Sequence, residues 1–423
     1  MDFEQILKIC CSAGNYISVI GGYGQKDAKM YREVECVSAW ELDGTWKSTR
    51  RSAGHSLHTL CSRTGSFPPA LARYFIERFS NKGSTVLDPF SGKGTAPLEA
   101  CLAGRRGIAN DLAPEAYVLS RAKVKPVGIE EVHEWVRRNR SYIESYDGSD
   151  APEEVRVFYS KSTLKQVLAV KELLSDPVSD VDYFVTAVML GILHGSSSDS
   201  LSVRCSHSFS MSPWYVARSV REFGLRKPDR NVPDCILRRT AKVLADGLPP
   251  TWGIATNDDA RTLPLPDESV DLILTSPPYF NMQTYAWDNW LRLWFLGHDY
   301  REVAKRLFHT DSVSRFLRFS EEFLREFQRV LKPGGSCFLV LGVVKLRGNT
   351  VNMAELMLRV AYRTGFEPVR IITDEIPKEK KYLMYLDGEQ GVKREVVLEL
   401  RKADSISQPV LPVDRCGMIT VAG

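Results

Sequence analysis

The stretch STVLDPFSGKGTAPLEACLAGRRGIANDL, residues 84–112, decides the fold class. Residues 84–90 have the apolar character of a buried strand, and 94–104 have a helical pattern that a glycine closes. Residues 105–112 form a second strand pattern. A strand, a helix and a second strand in this order make the βαβ unit of parallel sheets. The sequence therefore predicts an α/β fold.

Strand patterns return later in the chain and extend the same sheet. They lie at 251–259, 270–278, 335–342, 368–376 and 394–402, with helical patterns at 318–331 and 352–364 between them. Together with the opening unit they make seven strands, and the first ones are continuously apolar, as a parallel sheet covered on both faces requires. We therefore predict a doubly wound, seven-stranded, mostly parallel sheet.

The composition excludes several classes of protein. Of 423 residues, 43% are apolar and 26% are charged, which is ordinary globular usage and argues against wholesale disorder. The nine cysteines include no C-x-x-C pair, and the histidines have no partner at metal-ligand spacing, so no disulfide framework or metal site is expected. No signal peptide and no run long enough to span a bilayer are apparent, so we predict a cytoplasmic protein.

The turn DPFSGKGT, residues 88–95, has the features of a ligand site. Gly92 and Gly94 allow a tight turn and a close approach of the backbone to a ligand at a helix N-terminus. A P-loop is disfavoured because leucine stands where its first glycine belongs. A dinucleotide turn is disfavoured because Pro97 occupies a position that requires glycine or alanine. The remaining interpretation is a nucleoside-bearing cofactor without a pyrophosphate.

Acidic residues after the next two strands fit a nucleoside. Asp111 follows the second strand, 17 residues beyond Gly94, where a carboxylate can bind both hydroxyls of a ribose. It is also placed to cap the following helix, and the two roles are compatible. Asp259, after the third strand, is placed to accept a hydrogen bond from an adenine amino group, with Asp258 as the alternative.

The fourth strand ends in TSPPYF, residues 275–280. Proline has no N–H for a sheet ladder, so the strand stops here, and two prolines hold the chain rigid. Serine and proline also form ordinary turns. The motif gains weight because it follows a buried strand in a chain that also carries DPFSGKGT.

The segments SFPPALARYFIERFS, VLDPFSGKGTAPLEA and DARTLPLPDESVDLILTSPPY resemble the amino-group DNA methyltransferases that use S-adenosylmethionine. The TSPPY form resembles their N4-cytosine branch. The resemblance implies a Rossmann-like methyltransferase fold and a cofactor site formed by Thr64, Ser66, Phe67, Asp88, Phe90, Gly92, Gly94, Thr95, Asp111 and Asp259. In this interpretation the segment from Thr64 to Phe67 holds the methionine end of the cofactor, while Asp111 binds its ribose and Asp259 its adenine.

By the same resemblance, Ser276, Pro277, Pro278 and Tyr279 are the catalytic residues. Methyl transfer from a sulfonium to an exocyclic amine needs alignment rather than a covalent intermediate or a metal. The Ser276 hydroxyl and the Pro277 carbonyl can each accept one N4 hydrogen of cytosine. Tyr279 offers a flat face to a base that has been flipped out of the duplex. Serine at this position favours cytosine over adenine.

Two segments are predicted to contact DNA. Residues 201–242 contain nine Lys/Arg and three acidic residues, and serines and aromatics are interleaved with them, which suits phosphate and base-edge contacts. The predicted contacts from this segment are Arg204, Arg218, Arg221, Arg226, Lys227 and Arg230. Asn281 and Gln283, just beyond the corner, are predicted to contact the target nucleotide.

The chain between the two parts of the sheet is predicted to be helical. Its apolar residues recur at three- and four-residue spacing, and no strong strand pattern occurs there. We predict an N-terminal extension (1–60), the first part of the catalytic domain (61–125), a helical insert that recognises the target (126–249), the second part of the catalytic domain (250–403) and a C-terminal tail (404–423).

The leading hypothesis is a site-specific cytosine-N4 methyltransferase of a restriction-modification system that acts on double-stranded DNA by base flipping. Adenine N6 in DNA and a base amine in RNA are the alternatives within the same chemistry. Outside it, the alternative is a non-catalytic nucleic-acid-binding protein with the same fold. A companion restriction endonuclease acting on the same site is a further candidate partner, and no membrane partner is expected.

Overall fold

The structure is a computed structural model, and the residues that it describes are 10–11, 16–18, 34–39, 41–42, 54–63, 65–195, 197–205, 212–279, 285–346, 349–375 and 394–403. Within these ranges the chain forms one large sheet with helices on both faces. No helix in these ranges is both long and apolar enough to cross a lipid bilayer.

The strands belong to a single sheet. In chain order they are β1 (Cys10–Cys11), β2 (Tyr16–Ser18), β3 (Val34–Ser38), β4 (Thr85–Asp88), β5 (Arg106–Asn110), β6 (Ile254–Thr256), β7 (Val270–Thr275), β8 (Leu331–Leu346), β9 (Asn349–Asn352), β10 (Phe366–Glu375) and β11 (Arg394–Lys402). In space the order is β1-β2-β3-β10-β11-β8-β7-β4-β5-β6, and β9 pairs with β8.

The predicted doubly wound, mostly parallel sheet is confirmed. Its seven predicted strands are β4, β5, β6, β7, β8, β10 and β11, of which β8, β7, β4, β5 and β6 run parallel. β11 is antiparallel to both of its neighbours. The chain moves outward from β4 through β5 to β6 and then returns to β7 on the other side of β4. The strand order therefore reverses between β4 and β7, where open α/β sheets bind their ligands.

The N-terminal segment adds an edge that the sequence did not predict. β3 pairs in parallel with β10, and β2 and β1 continue the sheet beyond β3. In β3 only Val34 is fully buried, and the remaining residues are half-buried. This strand therefore lacks the alternating pattern by which a strand is recognised in a sequence.

The described residues contain fourteen α-helices. They are α1 (Pro69–Phe79), α2 (Thr95–Leu102), α3 (Pro114–Val124), α4 (Ile129–Ser145), α5 (Glu153–Arg156), α6 (Lys161–Leu173), α7 (Asp180–Ile192), α8 (Pro213–Phe223), α9 (Val232–Val243), α10 (Tyr285–Asp288), α11 (Trp290–Phe295), α12 (Tyr300–Arg306), α13 (Val313–Val330) and α14 (Met353–Arg363). The described part of 126–249 contains α4 to α9 and no strand, in line with a helical insert. The division of the chain into domains stays a prediction.

The core lies on both faces of the sheet, as the strand periodicity requires. Val86 and Leu272 belong to the apolar cluster under α1, while the next residues, Leu87 and Ile273, belong to the cluster under α13 and α14. A third cluster joins the helical insert to α2, α3 and α11. β4 and β7 are therefore supported by apolar clusters on both faces of the sheet.

Candidate active site

The two predicted motifs meet at the carboxyl ends of β4 and β7. These strands are adjacent and parallel, with Leu87 opposite Ile273. Thr275 Oγ1, at the end of β7, donates a 2.6 Å hydrogen bond to Asp88 Oδ1, at the end of β4. Both side chains are buried. The structure therefore brings the DPFSGKGT turn and the SPPY corner to one edge of the sheet.

Asp88 is a buried acid with few compensating charges. Burial raises the pKa of its carboxyl from 3.8 to about 7. The hydrogen bonds from Thr275 Oγ1 and the Phe90 N–H act in the opposite direction, and the nearby charge of Asp111 adds to the rise. Asp88 thus connects the two motifs, and burial disfavours the ionised form of its carboxyl group.

The turn after β4 requires glycine for two separate reasons. Gly92 and Gly94 have φ angles of +53° and +74°, in the left-handed region. A Cβ on Gly94 would lie 2.9 Å from Ser120 Cα, and a Cβ on Gly92 would lie 2.9 Å from Arg63 Nη1. The turn is therefore pressed against α3 on one side and against Arg63 on the other.

Asp111 holds this turn and the start of α3. Its Oδ2 accepts a hydrogen bond from the Gly92 N–H at 2.8 Å, and its Oδ1 accepts one from the Ala113 N–H at 2.9 Å. The N-cap residue of α3 is Ala113 rather than Asp111, because Pro114 occupies the first helical position. Each carboxylate oxygen retains a lone pair that a ribose hydroxyl can use.

Lys123 supports the turn from inside the protein. Its side chain is fully buried, and its Nζ donates a 2.7 Å hydrogen bond to the carbonyl of Lys93, between the two glycines. Burial and, to a smaller extent, the charge of Lys93 together lower the pKa of Lys123 to about 7. Sequence reasoning missed this residue because a lysine in a helical pattern indicates a solvated face.

Several buried polar atoms beside the turn have no hydrogen-bond partner among the described residues. They are Ser91 Oγ, Thr95 Oγ1 and Glu115 Oε2. Buried polar groups are nearly always paired in folded proteins. The unpartnered atoms therefore fit a site that a ligand with both donors and acceptors completes.

A buried ion pair lies beside the same turn. Arg63 Nη2 and Glu115 Oε1 are 3.3 Å apart, and the two side chains are 8% and 1% exposed. Burial raises the pKa of Glu115, while the charge of Arg63 opposes the rise. The sequence analysis did not identify this pair, whose members are 52 residues apart. Its one signal is that Arg63 directly precedes the segment predicted to hold the cofactor.

The loop after β6 contains the two acids predicted for the adenine end. Asn110 fixes this loop: its Nδ2 donates to the carbonyls of Pro89 and Asp258, and its Oδ1 accepts from the Asp258 N–H. Burial acts to raise the pKa of Asp259, but hydrogen bonds and charge from Arg261 outweigh it, so the pKa is lowered. The Asp258 carboxylate has no hydrogen-bond or ion-pair partner in the described chain. Of the two acids, Asp258 thus has the unengaged oxygens.

Two hydrogen bonds hold the SPPY corner in place, one within the corner and one to β8. Ser276 Oγ donates to the Tyr279 hydroxyl at 3.2 Å, and that hydroxyl donates to the Val340 carbonyl of β8 at 3.2 Å. Pro277 is buried, while Ser276, Pro278 and Tyr279 are half-buried. The corner is thus fixed to the neighbouring strand and keeps part of its surface open.

Three further residues that were predicted to bind the cofactor lie in the described part of the chain. Phe67 belongs to the apolar cluster that also contains Ala96 and Leu274, and Ser66 beside it is half-buried. Phe90 is half-buried, and its ring lies 5.4 Å from that of Phe323 in an edge-to-face arrangement. Thr64 lies outside the described residues.

The basic residues predicted for DNA differ in exposure. Arg204, Arg218, Arg221 and Arg226 are exposed, whereas Lys227 and Arg230 are half-buried. Lys227 Nζ donates to the Arg156 carbonyl at 2.8 Å, so part of its binding capacity serves the fold. Arg218 and Arg221 lie on α8, where Arg218 is 2.7 Å from Glu222 and 5.6 Å from the ring of Trp214. Asn281 and Gln283 lie outside the described residues.

Comparison with known proteins gives a family match over more than half of the chain. The family model described as DNA methylase matches residues 12–123 and 270–394, and the intervening stretch contains the helical insert. The type II methyltransferase M.MjaII of Methanocaldococcus jannaschii is 23% identical over 155 residues, 36% of this chain and 29% of that protein. M.BsoBI of Geobacillus stearothermophilus is 22% identical over 294 residues, 61% of this chain and 56% of that protein. The chain thus spans less than two thirds of these relatives.

Among solved structures, TrmN from Thermus thermophilus matches with a TM-score of 0.32 and 17% identity. The match covers 82% of this chain and 52% of that one. At this TM-score the likeness carries no weight beside the family match.

Proposed function

This chain belongs to the DNA methylase family of N6- and N4-methyltransferases, and from this premise we propose that it methylates the exocyclic N4 amine of cytosine in duplex DNA. The methyl donor is S-adenosylmethionine, as the sequence predicts and the family membership confirms. The observation that carries the proposal is the 2.6 Å hydrogen bond between Thr275 and Asp88, because it joins the corner to the glycine turn.

The residues at the turn fit this cofactor. Gly92 and Gly94 allow the left-handed backbone of the turn and its close packing against Arg63 and α3, and Asp111 keeps lone pairs for ribose hydroxyls. The unpartnered Ser91 and Thr95 hydroxyls supply further polar contacts. When bound, the cofactor supplies an electrophilic methyl group on a sulfonium sulfur. For adenine we retain Asp259 with Asp258 as the alternative, and substitution of each acid separately distinguishes them.

At the corner, the chain's task is to orient the target amine. The Ser276 hydroxyl donates to Tyr279, so its oxygen can still accept a hydrogen from the amine. The Pro277 carbonyl accepts the second hydrogen, and proline fixes its direction. With both hydrogens held, the nitrogen lone pair points toward the methyl group, and such orientation is worth about 7–11 kcal/mol of barrier in favourable cases.

Cytosine is favoured over adenine because the corner begins with serine. A neutral hydroxyl at this place suits the N4 amine, by the resemblance to the TSPPY branch. Base flipping is part of the proposal, because a base inside a duplex cannot reach the end of a buried strand. Tyr279, anchored through its hydroxyl to β8, offers the ring against which the flipped base stacks.

The helical insert is proposed to bind the DNA backbone. On α8, Arg218 and Arg221 are exposed, and Trp214 beside them is 66% exposed. This combination of cations and an open aromatic face suits phosphates and bases. Site specificity, a companion restriction endonuclease and a cytoplasmic location remain parts of the same proposal.

The test is to identify the methylated nucleoside. The protein is incubated with unmethylated genomic duplex DNA and isotopically labelled S-adenosylmethionine, and a parallel sample contains RNA. The nucleic acid is digested to nucleosides and analysed by mass spectrometry. We expect N4-methylcytosine from DNA. N6-methyladenine or a methylated ribonucleoside would replace the cytosine proposal by its alternative, and cofactor binding without any labelled nucleoside would favour a non-catalytic role.

A further inference from the structure

Three exposed arginines outside the helical insert have no ion-pair partner among the described residues. They are Arg306, the last residue of α12, and Arg315 and Arg318, in the first two turns of α13. Residues 300–318 contain five Lys/Arg and two Asp/Glu, so this short segment has a local excess of positive charge. The sequence analysis gave it no role, because it lies outside the basic segment 201–242.

On α13, the acids that could neutralise Arg318 are held by other partners. Glu321 and Glu322 follow Arg318 at the three- and four-residue spacing of helical ion pairs. Glu321 instead pairs with Arg325 at 2.6 Å, and Glu322 pairs with Arg261 at 2.9 Å. The guanidinium of Arg318 is therefore left for an anion from outside the described chain.

A ring contact brings the end of α12 to the same place. The Phe308 ring, just after α12, stacks on the Phe319 ring of α13 with the centroids 3.8 Å apart. Arg306 is two residues from the first ring, and Arg318 directly precedes the second. Glu302, four residues before Arg306, pairs with a lysine of α12 at 2.7 Å. The three arginines thus form one basic region, which we call the α12–α13 surface.

The α12–α13 surface lies at the edge of the sheet that carries the glycine turn and the SPPY corner. α13 ends at Val330, β8 begins at the next residue, and β8 runs parallel to β7. The start of α13 therefore lies at the carboxyl ends of these strands. Two contacts agree with this position: the Phe90 ring is 6.2 Å from that of Phe319, and Arg261, in the loop after β6, bonds to Glu322.

The α12–α13 surface and the helical insert flank this edge from opposite faces of the sheet. α13 packs on the face that presents Leu87 and Ile273, through residues such as Phe323. α2 packs on the other face, which presents Val86 and Leu272. The insert packs against α2 and α3, and so lies on that second side. A polyanion placed over the edge would meet arginines on both sides.

We propose that Arg306, Arg315 and Arg318 bind phosphates of the DNA backbone from the face of the sheet opposite to the insert. Arginine suits this task because its guanidinium keeps its charge and donates paired hydrogen bonds to phosphate oxygens. The inference deepens the proposed function and rests on it for the identity of the partner. Phosphate contacts carry no sequence information directly, so this surface positions the duplex and does not select the site.

The test is the salt dependence of DNA binding by the full chain, with alanine at all three arginines. Affinity for a labelled, unmethylated duplex is measured by fluorescence anisotropy at several potassium chloride concentrations, with saturating S-adenosylhomocysteine. Each phosphate contact contributes about 0.9 to the slope of log affinity against log salt, so the triple variant should lose up to about 2.7. The loss should be the same for two duplexes of unrelated sequence.

Two controls separate charge from structure. Lysine at the same three positions keeps the charges and should retain most of the slope. Arg325→Ala removes another exposed arginine of α13, whose charge is already paired with Glu321, and should leave the slope unchanged. Combining the triple variant with alanine at Arg218 and Arg221 should give losses that add, because the two surfaces are on separate elements.

An unchanged slope in the triple alanine variant, with normal binding by the wild-type protein, would overturn the inference and leave the proposed function standing. An equal loss in the lysine variant or in Arg325→Ala would also overturn it, and so would a loss seen with a structured RNA but not with duplex DNA. If the triple variant does not fold, the single alanine variants replace it, each with an expected loss of about 0.9. Failure of the wild-type protein to bind any duplex would refute the proposed function and this inference together.

Discussion

Replacing Gly94 by alanine is expected to destabilise the protein and to weaken cofactor binding. The backbone at Gly94 has φ of +74°, which costs a residue with a Cβ about 1–2 kcal/mol. The added Cβ would also lie 2.9 Å from Ser120 Cα and 3.0 Å from Ser120 Cβ, and overpacking of this kind costs about 1–3 kcal/mol. Together the free energy of unfolding should fall by about 2–5 kcal/mol.

A second glycine separates the two causes. Gly83, in the turn before β4, has φ of +84°, but no atom lies within 4 Å of the position of its Cβ. Gly83→Ala should therefore lose only the conformational part, about 1–2 kcal/mol. Urea unfolding gives both free energies of unfolding, and titration with S-adenosylhomocysteine gives the affinities. We expect Gly94→Ala to bind about tenfold more weakly or worse, because the displaced turn no longer fits its ligand, and Gly83→Ala to bind normally.

Equal destabilisation of the two variants would mean that contact with α3 does not constrain the turn. Normal cofactor affinity in Gly94→Ala would be the more serious result. It would place the cofactor away from the turn and remove the basis for the proposed site.

Three further predictions concern the acid, the strand link and the basic helix. The pKa of Asp88 is raised from 3.8 to about 7 in the folded protein, so between these pH values the native state holds a proton that the unfolded chain has lost. The free energy of unfolding should therefore fall as the pH rises from 4 to 7. The expected slope is about 1.4 kcal/mol per pH unit, which gives a total of up to about 4 kcal/mol. Urea unfolding at pH 5 and pH 8 should show a smaller fall in Asp88→Asn, and an equal fall would contradict the assignment. Thr275→Val removes the hydrogen-bond donor to Asp88 and should lower the free energy of unfolding by about 1–3 kcal/mol. Thr275→Ser keeps a hydroxyl donor and should have a higher free energy of unfolding than Thr275→Val. Equal stability of the two variants would refute the link between Thr275 and Asp88. Alanine at Arg218 and Arg221 should lower the slope of log affinity for DNA against log salt by about one for each phosphate contact. Arg325→Ala, in a similar i,i+4 pair on α13, is the control, and a slope unchanged in the double variant would move the DNA surface elsewhere.

The parts of the fold that the sequence predicts are those with local signals. Each strand of the central sheet is a short apolar run bounded by turn residues, and the helices between strands repeat at three and four residues, so order and type could be read before any contact was known. β3 has no such signal, because it is a half-buried strand whose partner, β10, lies more than 300 residues away. Its place in the sheet is set by tertiary pairing.

The same distinction applies to the site. Glycine and proline restrict or permit particular backbone conformations at their own positions, so the sequence alone indicates a turn at the glycines and a rigid corner at the prolines. The sequence does not indicate the roles of Lys123, Arg63 and Glu115, because each of them contacts a group that is distant in sequence and near in space. The link between Thr275 and Asp88 spans 187 residues and follows only from the adjacency of their strands.

The most direct test of the proposal that the SPPY corner aligns the target base is the rate of methyl transfer by Ser276→Ala. It is measured on duplex DNA at saturating S-adenosylmethionine, together with the affinity for S-adenosylhomocysteine. Ser269→Ala, at the other end of β7, is the control, since the Ser269 hydroxyl bonds only locally to the Pro266 carbonyl at 2.7 Å. We predict that Ser276→Ala lowers kcat about a hundredfold to a thousandfold and leaves cofactor affinity within about twofold. A normal kcat, or an equal loss of kcat and cofactor affinity, would contradict a role for the corner in aligning the base.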